Sequence, residues 1–181
     1  MPPTAPSPLR VNRAPVLTLW AAVVAGRLGH PEETALTLGR AVAGASAQAK
    51  ARRLGIADEH QGEDERAGGE RPAKAAPART VRLLGREIPV AAAKGGAVVA
   101  LDKDRPASPA AVRAYLARAF GGRLGEVRAA MEKRAASLPS DELDRVGFRL
   151  YERFRPEVPE GVEGWGAKAE LRVERIRGAA G

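Results

Sequence analysis

Cysteine is absent from this 181-residue chain. That excludes disulfides, thiolate nucleophiles, zinc sites built on thiolates and iron–sulfur clusters. It suits a reducing compartment, so the cytoplasm is the expected location. Histidine occurs at two positions only, His30 and His60, too few for an imidazole-rich metal set or a well-supported catalytic triad. Carboxylates are common, but Asp102 and Asp104 are the only pair expected on a loop outside helix faces and the polar linker. No enzymatic activity, metal or cofactor is expected. Aromatic residues make up 4% of the chain, so leucine, valine and alanine must fill the core that a 44% hydrophobic content can build. No apolar run reaches the roughly 20 residues that span a bilayer. The longest, PVLTLWAAVVAG from Pro15 to Gly26, follows Arg10 and Arg13 and has the outline of a secretory signal with a cleavage point after Ala25. Two features oppose that reading. The leader is crowded with Pro2, Pro3, Pro6 and Pro8, and the run flows into a second helical pattern that needs it as a packing partner.

Negative charge is also in short supply. Against 30 lysines and arginines stand 22 acidic residues, giving a formal charge of +8 and a sequence pI near 10.5. A balance of this size favours polyanionic partners, nucleic acid first among them. The alternative is compositional: the chain is rich in alanine, glycine and arginine throughout.

Hydrophobic periodicity divides the chain. Residues 1–13 are proline-rich and polar and read as a disordered tail. Residues 14–56 read as a helix pair. The first helix is apolar on nearly all sides (Val16, Leu17, Leu19, Trp20, Val23, Val24), as expected of a central helix. Leu28-Gly29-His30 breaks it. Pro31, Glu32 and Glu33 open the second, which runs to about Leu54 with an inward stripe of Ala35, Leu38, Val42, Ala45 and Ala49. Residues 57–79 have no apolar period and read as a flexible linker. Residues 80–105 read as an antiparallel hairpin or three-stranded wing: TVRLL (80–84), a Gly85-Arg86 turn, EIPVA (87–91), a Lys94-Gly95-Gly96 turn and AVVAL (97–101). Pro89 should confine its strand to a sheet edge. Residues 106–181 read as a three-helix unit. Ser108-Pro109 caps the first helix, Gly121-Gly122 ends it, and Pro139-Ser140 opens the third. Their stripes are Val112/Tyr115/Leu116/Ala119/Phe120, Leu124/Val127/Met131/Ala135 and Leu143/Val146/Leu150/Phe154. The segment from Ala169 to Ala180 fits a short strand or a helix, with the strand preferred. The expected fold class is α+β, mainly helical.

In the stretch VVAGRLGHPEETALTLGR, Ala25, Gly29, Ala35 and Leu38 fall at the offsets of the helix–turn–helix steric template, supported by Val24 and Leu28. Over about twenty residues the chain resembles the helix–turn–helix family. With the hairpin added, it resembles a winged helix with a long insertion. It departs from the pattern at His30, where an apolar residue is usual. The resemblance implies DNA binding, yet the face it would present (Pro31, Glu32, Glu33, Leu36, Thr37, Arg40) leads with two carboxylates and holds one arginine for base reading.

The expected function is therefore a non-enzymatic nucleic-acid-binding protein, DNA more than RNA, gripping the backbone through arginines. The candidate contacts are Arg40, then Lys50, Arg52 and Arg53 at the end of the second helix, and Arg79, Arg82, Arg86 and Lys94 on the wing. Arg145, Arg149 and Arg153, spaced by four beside Phe148 and Tyr151, read as an ion-paired solvent face with Asp141 and Glu152 in reach. Trp165, flanked by glycines, reads as a core plug or a stacking platform. The alternative function is a protein–protein assembly module, with Gly39, Ala43 and Ala47 as a small-residue dimer face. No membrane partner is expected.

Overall fold

The computed structural model describes residues 9–53, 79–92, 98–102, 105–157 and 169–178. The fold is α+β and mainly helical. In chain order the elements are β1 (Leu9–Arg10), α1 (Arg13–Arg27), α2 (Glu32–Arg53), β2 (Arg79–Leu83), β3 (Arg86–Ala92), β4 (Val98–Asp102), β5 (Arg105–Pro106), α3 (Pro109–Phe120), a 3-10 turn (Gly121–Arg123), α4 (Leu124–Ala136), α5 (Ser140–Phe154), β6 (Glu170–Leu171) and α6 (Val173–Gly178).

α1 is the central helix its composition demands: every residue from Pro15 to Ala25 is buried. α2 lies along it so closely that Gly39 faces the backbone of Thr18 and Ala22 directly. Thr18 and Gly39 each lie two turns or more from the connecting loop. Helices that still touch at that distance form a closed hairpin, made possible by alanine and glycine at the contact. The loop turns through Gly29 at φ 104°, a conformation open to glycine at little steric cost.

The hairpin of strands forms where the alternation predicts, with three differences. The sheet has four strands in the order β2-β3-β4-β5, all antiparallel. The turn is Leu84-Gly85, one residue earlier than expected, with both residues at positive φ (50° and 79°). And β3 is interior, not an edge. The ladder between β3 and β4 begins at Val90, so Pro89 is paired with Thr80 of β2 but stands one residue outside the second ladder. A proline is tolerated there because the last three residues of the strand, Val90, Ala91 and Ala92, carry the pairing with β4.

One face of this sheet (Leu83, Ile88, Val90, Ala100) joins the core. Side-chain hydrogen bonds lock α2 onto it: the Thr34 hydroxyl donates to the Val98 carbonyl at 2.5 Å, and Thr37 Oγ1 accepts from the Ala100 amide at 3.0 Å. The hairpin tip does not project as a wing. Leu84 is buried against Gly147 of α5, and its amide donates to Asp144 Oδ1 at 3.3 Å.

The C-terminal helices follow the sequence pattern. Ser108 caps α3 by accepting from the Ala111 amide at 3.2 Å. Val112, Leu116, Phe120, Val127, Met131, Ala135, Leu143, Leu150 and Phe154 are buried, while Tyr115, Ala119, Leu124 and Val146 are half-buried. These helices do not form a unit apart. Trp20 of α1 donates through Nε1 to the Gly147 carbonyl at 2.9 Å and meets Phe154 edge-on at 5.3 Å. One continuous core therefore joins both halves of the chain.

The expected tail is partly ordered. Leu9 and Arg10 pair antiparallel with Leu171 and Glu170, Val11 is buried, and its amide donates to the Ala169 carbonyl at 2.9 Å. β6 and α6 resolve the ambiguous end as a strand followed by a helical turn. Residues 1–8, most of the expected linker (57–78), the Lys94-Gly95-Gly96 turn, His60, Asp104 and Trp165 lie outside the described residues.

Candidate functional site

The face of α2 expected to be exposed is largely consumed inside the fold. Leu36 and Thr37 are 2% and 0% exposed. Glu32, at the leading end of the helix, pairs with Arg128 of α4 at 2.9 Å and Arg113 of α3 at 3.6 Å. Of that face, Pro31, Glu32, Glu33 and Arg40 remain at the surface. The small-residue face is occupied too: Gly39 and Ala43 are buried, Gly39 against α1.

The predicted cations on the strands do not converge. Residues directly opposite in an antiparallel ladder share a face, and successive residues along a strand do not. Arg79 opposes Val90 and Arg86 opposes Leu83, which puts both on the core-side face, at opposite ends of the ladder and about 13 Å apart at 3.4 Å per residue. Arg82 lies on the other face, opposite Glu87. Arg79 is close enough to His30 to oppose its protonation. Burial first, and then this neighbouring charge, hold the imidazole pKa below its ordinary 6.5. Lys50, Arg52 and Arg53 fall on the last turns of α2, and their side chains, like Lys94, lie outside the described ones.

Among the predicted cations whose side chains are described, Arg40 alone enters a cluster. Its guanidinium carbon sits 4.7 Å from the centroid of the Tyr115 ring, a cation–π stack between α2 and α3. Tyr115 in turn lines a cleft of about 310 Å³ with Arg10, Asn12 and Arg118. Three elements supply the three arginines: β1, α2 and α3. The ion pairs among the described residues join Arg113 and Arg128 to Glu32, Arg123 to Glu126, Arg128 to Glu132 and Arg175 to Glu157. None involves Arg10, Arg40 or Arg118, although Glu170 is the cross-strand neighbour of Arg10. Burial pushes the Tyr115 phenol above its ordinary pKa of 10.0, and the Arg40 charge opposes that rise. The hydroxyl is therefore a proton donor at neutral pH. The cleft thus brings two arginines to an aromatic ring that carries a third, an arrangement whose chemistry suits an anion attached to a flat group.

Arg10, Arg118 and Tyr115 were not among the predicted contacts. Arg118 is three residues after Tyr115, one helical turn away, so that pair was visible in the sequence, although Tyr115 was assigned to the core stripe. Arg10 had no such signal. It reaches α3 from β1, beside the start of α1, a tertiary placement that no local spacing announces.

A larger cleft, about 390 Å³, lies between the α1–α2 turn and α4 over Ala22, Val23 and Leu36. Its rim is charge-balanced: Arg27 and Arg128 stand with Glu32 and Glu132, and Arg128 bridges both carboxylates at 2.9 Å each. Arg145, Arg149 and Arg153 are exposed along α5, and the expected pairs with Asp141 and Glu152 do not form. That stripe lies along one face of a single helix. Among the described residues no cluster of three or more His, Asp or Glu could hold a metal ion, and no helix is long and apolar enough to cross a membrane.

No family model matches the chain, and no curated protein or solved structure is detectably similar to it.

Proposed function

We propose that this protein is a non-enzymatic, cytoplasmic nucleic-acid-binding protein that grips the phosphate backbone through Arg10, Arg40 and Arg118. The observation that carries this reading is that Arg10 and Arg118 line one cleft with Tyr115 while Arg40 stacks on the Tyr115 ring, and among the described residues no carboxylate pairs with any of the three. A chain of charge +8 leaves much positive charge at the surface by composition alone. The Tyr115 site differs from that background in being concave and in setting arginines around an aromatic. DNA is the expected partner, and the absence of cysteine fits the intracellular setting.

Salt tests the reading. Phosphate contacts release counterions with a slope of about 0.7 to 0.9 per contact, so three contacts should weaken binding roughly 20- to 40-fold between about 50 and 200 mM salt. Fluorescence anisotropy with a labelled mixed-sequence oligonucleotide measures this. The triple variant Arg10→Glu, Arg40→Glu, Arg118→Glu should lose binding. Absence of binding at low salt, or a charge-reversed variant that binds like the native chain, overturns the proposal.

A further inference from the structure

We infer that the polynucleotide held at this site is single-stranded, with bases seated on either side of the Arg40–Tyr115 stack. This rests on the phosphate-binding reading above and adds the form of the ligand. Two clefts meet at the stacked pair. Tyr115 lines the first, with Arg10 and Arg118. Arg40 lines the second, about 360 Å³ in size, between α2 and the sheet, over Ile88, Pro89 and Leu101 and beside Gly44. The stack is the divide between them.

Both clefts lie near the lower end of the 300–1,000 Å³ typical of small-molecule sites, a size for a single base with its sugar. The second is mainly apolar, and Gly44 leaves it open: a Cβ built there meets nothing within 4 Å. Among the described residues, Glu87 is the one carboxylate on its rim. It repels phosphate but accepts from an exocyclic base amine, which makes it a contact for a base edge. Duplex is read differently, by an element that protrudes into a groove. The described elements fitted by sequence for that role are tied down. The leading end of α2 is held by Arg113 and Arg128, and the hairpin tip is docked on α5 through Leu84. The unpaired arginines instead surround hollows. Hollows floored by an aromatic ring and apolar side chains suit splayed bases, which stack on aromatic and guanidinium planes whatever their sequence.

The test compares a labelled single strand of about 12 nucleotides with its own duplex at about 50 mM salt, where phosphate contacts are strong. DNA and RNA versions run side by side, and the tighter names the source. The single strand should bind at least about ten-fold tighter than the duplex. Tyr115→Leu, which keeps an apolar side chain, should weaken single-strand binding about ten-fold or more, the scale of one lost base stack, while Tyr115→Phe keeps it. Duplex binding equal to or tighter than single-strand binding overturns the inference, even if Tyr115→Leu does not fold. So does a folded Tyr115→Leu variant that holds the single strand like the native chain. In both cases salt-sensitive binding that depends on Arg10 and Arg118 leaves the phosphate reading standing. If neither form binds, both proposals fall.

Discussion

A methyl group at position 39 has nowhere to go. Built on Gly39, it would overlap the Thr18 carbonyl oxygen and crowd the Ala22 amide, both backbone atoms in the centre of α1. Gly147 is also crowded, but there the obstacle is the end of the Leu84 side chain. Backbone yields less readily than a side-chain methyl. Gly39→Ala should therefore destabilise by about 1–3 kcal/mol, the usual penalty of overpacking, and by more than Gly147→Ala. Denaturant titration of the two variants checks the order. The two tyrosines give a second residue-scale prediction. Burial pushes Tyr151 up to about 12 against the opposing charges of Arg13 and Arg155, and raises Tyr115 as well. A tyrosine whose folded pKa exceeds its unfolded value favours the native state fully below the unfolded value of 10.0, and that contribution disappears as pH rises towards 12. Tyrosinate absorbance should thus show no transition centred at 10 in the folded protein. Tyr151→Phe should lose less stability than the native chain between pH 10 and 12.

At the scale of elements, the β2–β3 hairpin shows two effects in opposition. Leu84 occupies the left-handed region at φ 50°, where a non-glycine residue carries about 1–2 kcal/mol of strain. The same conformation drives its side chain into the core at 4% exposure, and truncating a buried leucine costs about 2–5 kcal/mol. Burial wins. Leu84→Gly should relieve the strain and still destabilise by about 1–3 kcal/mol, as read from the thermal or denaturant midpoint. A sequence-based reading sees Gly85 as the turn and leucine as a strand residue. Asp144 and Gly147, the partners that hold the tip, lie some sixty residues away.

For the whole molecule, the closing contact is between the chain ends. Leu171 is fully buried opposite Leu9, and Val11 hydrogen-bonds to Ala169. Leu171→Ala should lose about 2–5 kcal/mol. It should also speed amide exchange at Val11 before it does so at Val90, because the end strands release before the sheet core. Arg10, the other residue of β1, lines the Tyr115 cleft, so the paired strand and the arginine site share one segment.

Periodicity and caps determined much of this protein without reference to tertiary contacts. The all-apolar α1, the stripes of α3, α4 and α5, the Ser108 cap and the strand alternation are consequences of local spacing and of burying apolar side chains, and they yield an α+β class. The surplus of arginine was equally plain. Tertiary packing decided what local rules do not carry. It buried Leu36 between the helices and Thr37 under the sheet, placed β3 in the interior despite Pro89, and split Arg79 and Arg86 from Arg82 across the two faces. It also brought Arg10 and Arg118, from distant segments, into the cleft that Tyr115 lines, and stacked Arg40 on the Tyr115 ring. The reason is that a charged side chain at the surface has no period to betray its neighbours. Helix and strand spacing reveal which residues turn inward, but where the outward ones meet depends on how the elements are stacked.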